Sequence, residues 1–214
     1  MEIKKLIFNP LQENTYIIFD ETKECVIVDP GCYTQAEKDL LKKTIAELGV
    51  TPKAIINTHC HFDHVFGRNF VADEYNVELW AHEAEFKNIA RFASGASLFG
   101  IRDEEPRQPE HYFKDGDIFK FGNSELKVIH TPGHAPGSVC FYSDKDNFLI
   151  SGDTLFAGTI GRTDLPGGDL GEMKDSLKKL MELPGETKVY CGHGPDTTIG
   201  KETLYNDFIN DMFY

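Results

Sequence analysis

The chain has 214 residues, 40% of them hydrophobic and 27% charged, the balance of a soluble globular protein with chain enough for one substantial core or two small halves sharing one. Its net charge of −13 repels a phosphate backbone and argues against a nucleic-acid partner. No run approaches the roughly 20 apolar residues of a membrane span, and the opening "MEIKKLIFNPLQENTY" has no apolar stretch long enough for a signal peptide, so a cytoplasmic protein with no membrane partner is expected.

From the N-terminus, apolar runs at 14–19 ("NTYIIF") and 25–28 ("CVIV") predict two strands joined by the polar turn "DETKE". A helix is predicted over 34–48, where Ala36, Leu40, Leu41, Ile45 and Leu48 form a stripe ended by Gly49. A strand at 53–57 ("KAIIN"), a helix at 67–75, a strand at 77–81 ("VELWA") and a helix at 82–93 follow. Residues 95–110, with Arg102 and Arg107, show no clear pattern; such a stretch is either a lid or binding loop or an ordinary surface loop. Strands follow at 124–130 ("SELKVIH"), 138–142 ("SVCFY") and 147–151 ("NFLIS"), the last two joined by "SDKDN". A helix at 171–182, with Gly171 before it and Pro184 and Gly185 after it, a strand at 187–191 ("TKVYC") and a weaker helix at 201–212 close the series.

An internal echo runs through this order. The first half reads hairpin, "VIVDPG", helix, strand, "THCHFDH"; the second reads hairpin, "LISGDT", loop, helix, strand, "CGHGPD". Each half has one strand ending in an aspartate, Asp29 or Asp153, and a later strand ending in a histidine, His59 or His193. Two similar βαβ-like halves would bring such ends to one edge of a sandwich.

The five cysteines, an odd number with no CxxC spacing, argue against a disulfide framework or a zinc knuckle. Cys25 and Cys140 lie in apolar runs and read as small core residues. Cys60 and Cys191 border histidine motifs. In an extended segment Cys60 faces away from His59 and His61, so a core thiol is the expected role for both.

Histidine is sparse, eight in the chain, yet three fall with an aspartate in "THCHFDH", residues 58–64. His59 and His61 are two apart, so at a strand end their imidazoles face one way, as a shared metal requires. Asp63 and His64 follow in a turn and can face a second site beside the first. His134 in "TPGHAPGS", residues 131–138, offers a third histidine to the first metal. Asp153 in "SGDTLF" offers a carboxylate able to bridge two metals, and His193 in "YCGHGPDT" completes the set. Every candidate lies at a strand end or in the loop after it, where layered α/β folds place their sites. Elsewhere, His82 reads as a helix cap or a solvent-facing residue, His111 as structural, His130 as core with a place behind the ligands the alternative, and Asp29 as a turn former or a carboxylate behind the ligands. Arg162 is either a loop staple or a cation near the substrate.

HxHxDH, then "TPGH", "GDT" and "GHG", resembles the metallo-β-lactamase superfamily, and within it the glyoxalase II (hydroxyacylglutathione hydrolase) branch, especially short bacterial members carrying "GRTDLPGGD", here residues 161–169. The resemblance extends from "DPG" at 29–31 to "GHGPDTTIG" at 192–200. It implies an α/β fold, the four-layer αβ/βα sandwich of two similar halves with the metal site at one edge, and a single hydrolase domain over 1–214. It assigns His59, His61 and His134 to the first metal and Asp63, His64 and His193 to the second, with Asp153 bridging.

Two divalent ions are therefore expected. Imidazole and carboxylate without thiolate suit Zn2+, and Fe2+ or Mn2+ also fit. A water bridging two such cations has its pKa lowered from about 15.7 towards 7, so hydroxide can attack a carbonyl without a Ser or Cys nucleophile; Asp63 can hydrogen-bond that water, and Asp63 and Asp153 are the catalytic candidates. The expected reaction is thioester hydrolysis, with S-D-lactoylglutathione the substrate the resemblance implies. Larger glyoxalase II enzymes add a C-terminal helical domain with basic residues for glutathione. No such domain is expected after His193, where Lys201 is the one cation in the sequence, so a different acyl thioester fits as well. Aspartate at 153, where true β-lactamases usually carry cysteine, separates the chain from them. The rival is a persulfide dioxygenase-like oxidoreductase with one Fe2+ held by two histidines and an aspartate; the intact "CGHGPD" favours the dinuclear hydrolase.

Overall fold

The computed structural model describes residues 1–90, 97 and 106–213. The chain forms two compact units, Met1–Phe113 with Lys120–Glu125, and Lys114–Phe119 with Leu126–Tyr214.

The first unit is built on a six-stranded sheet in sequence order: β1 (Glu2–Phe8), β2 (Glu13–Phe19), β3 (Glu24–Val28), β4 (Thr51–Ile56), β5 (Glu78–His82) and β6 (His111–Phe113). The hairpins make β1, β2 and β3 antiparallel, and β3 to β6 run parallel. All seven residues of β2 are buried, the polar Glu13, Asn14 and Thr15 as well as the apolar run Tyr16–Phe19, whereas β1 at the sheet edge alternates and exposes Lys4. Parallel neighbours need a crossover. Helix α1 (Gln35–Leu48) supplies one between β3 and β4, and α2 (Arg68–Tyr75) lies between β4 and β5. Thr34 and Glu37 form a reciprocal capping box at the start of α1, and Gly49 ends it in the left-handed region at φ 64°. Leu41, Ile45 and Val71 pack with Ile17, Ile27 and Ile55 in one apolar cluster.

The second sheet has the order β14-β13-β10-β9-β8-β7. Its strands are β7 (Ile118–Phe121), β8 (Ser124–His130), β9 (Val139–Ser143), β10 (Phe148–Gly152), β13 (Lys188–Cys191) and β14 (Thr197–Thr198), while β11 (Leu155–Phe156) and β12 (Thr159–Ile160) form a small separate hairpin. Helices α4 (Leu170–Met181), α5 (Ile199–Tyr205) and α6 (Asp207–Phe213) complete the unit; α3 (Phe86–Ala90) belongs to the first. Asp169 caps α4 through a bond from the Glu172 N–H at 2.9 Å. Met173, Leu177 and Leu180 of that helix pack against Leu149 and Val189.

The internal echo is present in the pairing. In the first sheet an antiparallel hairpin, β2–β3, leads through α1 to β4, which pairs parallel with β3. In the second, β9–β10 is antiparallel and leads through α4 to β13, which pairs parallel with β10. Asp29 and Asp153 follow the central strands β3 and β10; the histidine motifs follow β4 and β13.

Some elements differ from expectation. The helix expected at 82–93 begins as a 3-10 turn at Glu83–Glu85 followed by α3, and its last residues lie outside the described ones, as do 91–96 and 98–105, and with them Arg102 and most of the loop expected at 95–110. The helix expected at 201–212 is two helices, because Asn206 leaves helical geometry and its Oδ1 accepts the Phe208 N–H at 3.2 Å. Strands β1, β6, β7, β11, β12 and β14 were not anticipated. Among the described residues no helix is long and apolar enough to cross a membrane.

Candidate metal centre

In the first unit, β3 and β4 end side by side, and the Asp29 N–H still reaches the Ile56 carbonyl at 3.2 Å. Asp29 then turns with φ 47°, a left-handed conformation that aspartate tolerates better than most residues. It is held by its own carboxylate. Oδ1 accepts from Asn57 Nδ2 (3.0 Å) and the Thr58 N–H (2.8 Å), and Oδ2 accepts from Thr58 Oγ1 (2.5 Å) and lies 3.1 Å from His64 Nδ1.

These bonds set two imidazole tautomers. A carboxylate only accepts, so His64 Nδ1 carries the proton and Nε2 keeps its lone pair. Thr58 gives its one hydroxyl proton to Asp29, so His59 Nδ1, 3.2 Å from Thr58 Oγ1, must donate to that oxygen; its Nε2 is likewise a lone-pair donor. His59 and His64 are both fully buried. Their ring centroids are 4.1 Å apart, and those of His59 and His61 are 4.7 Å apart at nearly right angles. Asp63 and His64 sit on a 3-10 turn, Phe62–His64, with Asp63 Oδ2 3.7 Å from His64 Nε2. Asp29, His59 and His64 each offer a ligand atom within 4.8 Å of the others.

In the second unit, His134 stands in the loop between β8 and β9, Asp153 follows β10 and His193 follows β13. His134 Nδ1 donates to the Arg162 carbonyl at 2.9 Å, which again leaves Nε2 as the lone-pair nitrogen. That Nε2 is 3.5 Å from Asp153 Oδ2, and His193 Nε2 is 3.6 Å from the same oxygen. A Cβ on Gly161 would fall on the Asp153 carbonyl oxygen, so only glycine lets the 161–169 loop close here and bring the Arg162 carbonyl to His134.

The spacing tests whether these residues suit a metal. Two ligand atoms about 2.0–2.1 Å from a tetrahedral ion lie roughly 3.3–3.5 Å apart. Separations of 3.5, 3.6 and 3.7 Å between nitrogen and carboxylate oxygen exceed a good hydrogen bond and lie at or just above that ligand–ligand spacing. Hydrogen-bonded Nδ1 atoms fix the rings so that Nε2 is presented. The residues fit one or two divalent cations.

The remaining candidates are placed as follows. His82 caps the 3-10 turn, accepting from the Ala84 N–H at 3.2 Å. His111 stacks on Trp80 with centroids 4.2 Å apart and lies 2.7 Å from Glu78. His130, read as core, is half-buried, and its Nε2 lies 3.0 Å from the Pro136 carbonyl. Arg162 forks onto Asp164 with two bonds of 2.7 Å. That pairing holds the Asp164 carboxyl down at about 2 and raises the guanidinium's own value. Arg107 is tied to Asp73 at 2.6 Å. Cys60 and Cys191 are buried among apolar residues.

Two residues that sequence reasoning passed over belong here. Thr58 is the first: its hydroxyl stands between Asp29 and His59, a placement with no periodic signature. Glu13 begins β2 and is fully buried, and burial pushes its carboxyl well above the ordinary range. A charged letter at the start of an apolar run gives no sign of this.

Residues 8–193 match the family model of the metallo-beta-lactamase superfamily. The chain is 36% identical over 214 residues to a probable metallo-hydrolase, YqgX, of Bacillus subtilis, covering 98% of both chains. It is 33% identical to the hydroxyacylglutathione hydrolase GloC of Haemophilus influenzae, covering 98% of this chain and 99% of that one. Among solved structures, the BLEG-1 B3 metallo-beta-lactamase superposes with a TM-score of 0.89 at 36% identity, over 97% of this chain and 99% of that one. TTHA1623 in a di-iron-bound form gives a TM-score of 0.87 at 36% identity, over 96% and 99%. The expected αβ/βα fold of two similar halves is thereby borne out.

Proposed function

Because the chain belongs to the metallo-beta-lactamase superfamily, within which it is a metal-dependent hydrolase-type enzyme, we propose that it hydrolyses small acyl thioesters of the hydroxyacylglutathione class at a dinuclear metal centre. His59, His61 and His134 would hold the first metal in this reading and Asp63, His64 and His193 the second, with Asp153 shared between them. The observation that carries it is the position of Asp153 Oδ2, 3.5 Å from His134 Nε2 and 3.6 Å from His193 Nε2. One oxygen is flanked by two imidazoles that the family pattern gives to different ions. The likeness to a hydroxyacylglutathione hydrolase across nearly both whole chains supports the substrate class.

Two cations so held, with Zn2+ the expected pair, would supply hydroxide at neutral pH and polarise the thioester carbonyl. The chain's own groups do the rest. Asp63 accepts a hydrogen bond from the attacking water and orients its lone pair. Asp153 sets the spacing of the site and offsets its positive charge. The Asp29–Thr58 relay keeps His59 and His64 in the tautomer that presents Nε2. Water adds to the acyl carbon, the C–S bond breaks, and carboxylate and thiol leave. The Arg162 guanidinium is committed to Asp164, which favours its role as a loop staple over that of a substrate cation.

The test is elemental analysis of purified protein together with turnover of an acyl-thioester panel that includes lactoylglutathione. Two metals per chain with thioester cleavage is the expected result. A single iron per chain, with oxygen consumed on a persulfide and no thioester cleaved, would establish the oxidoreductase reading instead. Protein that neither contains nor takes up metal would sink both.

A further inference from the structure

Asn9 follows β1, far in sequence from any candidate ligand, and is nearly buried. It takes a left-handed conformation, φ 53°, which asparagine tolerates better than most residues. Its backbone N–H donates to Glu37 Oε1 at 2.7 Å, and its Oδ1 accepts the Leu11 N–H at 3.0 Å. The amide orientation is thereby fixed, and Nδ2 donates both protons inward: to the Gly31 carbonyl at 3.0 Å and the Asp63 carbonyl at 2.9 Å. Both partners are carbonyls, so only an NH2 group can serve them.

These carbonyls belong to the two loops that build the second-metal half of the site. Gly31 ends the turn begun by Asp29, whose carboxylate orients His64. The Asp63 carbonyl lies in the peptide joining Asp63 to His64. The loops meet closely: a Cβ on Gly31 would lie 2.6 Å from the Asp63 carbonyl oxygen. One amide therefore fixes the peptide between two ligands and the turn that aims one of them. Among the described residues Asn9 makes no such bond to His59 or His61, and the Gly31 turn bears on His59 only at one remove, through Asp29 and Thr58.

We infer that Asn9 is a positioning residue for the second metal, acting through the peptide that joins Asp63 to His64. The inference rests on the reading of Asp63, His64 and His193 as that metal's ligands. Asn9→Asp is the direct probe. It keeps the shape and removes the donors, leaving oxygen lone pairs facing two carbonyls. Asn9→Ala removes the donors without adding charge and serves if Asn9→Asp does not fold.

The experiment is chelator competition with Zn2+ on wild type and variants, read as two separate affinities, with thermal melting of the metal-free proteins alongside. The expected result is two equivalents in wild type. In the variants the second is weakened by about 10–100-fold, as for lost support behind a metal ligand, and the first is unchanged. A purely structural role would weaken both equivalents together, and that result overturns the inference. So does a variant holding both as tightly as wild type. A wild type with no second equivalent overturns the site reading and the inference with it, and so is told apart from failure of the inference alone.

Discussion

Asp29 Oδ2 lies 3.1 Å from His64 Nδ1, and both side chains are buried. The carboxylate can only accept, so it holds the histidine in one tautomer. Asp29→Asn places a donor or a weaker acceptor against that N–H. His64 is then free to move its proton to Nε2, where it blocks metal binding. The expected result is a loss of about 10–100-fold in affinity for the metal equivalent that His64 would hold, and a smaller loss at the one His59 would hold, since asparagine keeps an oxygen to accept the Thr58 hydroxyl; the fold is retained, because asparagine also tolerates the left-handed turn at 29. Chelator competition reads the affinity, and 15N chemical shifts of the His64 ring read the tautomer. An unchanged tautomer and unchanged affinity would count against this role.

The ligand-type residues were legible in the sequence because metal chemistry restricts residue type and spacing: His59 and His61 two apart, and Asp153 and His193 each just past the end of a strand. The central strands were legible because β2, β3, β9 and β10 are buried on both faces and read as apolar runs. Edge strands were not. In β1 the residues Glu2, Lys4 and Lys5 suit an edge that faces water, and they dilute the apolar signal. Strands β11, β12 and β14 have two residues each, too few for any period. The supports behind the ligands were invisible for another reason. Thr58 and Asn9 act through a hydroxyl and an amide placed by the tertiary fold, and such bonds leave no pattern along the chain.

The fork between Arg162 and Asp164 predicts a titration. Asp164 is held at about 2, below the ordinary carboxylate value of about 3.9. The sign follows: the ion pair contributes fully above the unfolded value and is lost as pH falls through the folded one. Both side chains are exposed, so the effect on global stability is small. The 13C carboxyl resonance of Asp164 should titrate with a midpoint about 2 in wild type and move up towards about 3.9 in Arg162→Ala. A wild-type midpoint already at the ordinary value would show that the fork does not persist in solution.

The thiols predict an absence of reactivity. All five cysteines are buried, and burial pushes Cys60 and Cys191 up to about 12 and Cys140 to about 11. The thiolate is the reactive form, so native protein at pH 8 should react negligibly with a disulfide reagent over minutes, and five thiols should react at once in denaturant. Rapid labelling of Cys60 or Cys191 in native protein would contradict their place in the core, and would reopen their exclusion from the metal site.

Asp153 carries the sharpest prediction about turnover. Its Oδ2 is flanked by His134 and His193, and in the proposed bridging role it would offset the repulsion between two dications. Asp153→Ala removes that charge and the shared oxygen together, and should lower kcat for thioester hydrolysis by several orders of magnitude. The fold should survive, because Asp153 follows β10 in the loop rather than packing in the apolar cluster of Leu149, Met173, Leu177 and Val189. Asp153→Asn separates the two effects. It keeps an oxygen of nearly the same shape without the charge, so it should retain one metal equivalent and lose most of the other. Thermal melting of both variants without metal should match that of metal-free wild type closely. Should Asp153→Ala cleave thioesters nearly as fast as wild type, the bridged dinuclear mechanism is wrong.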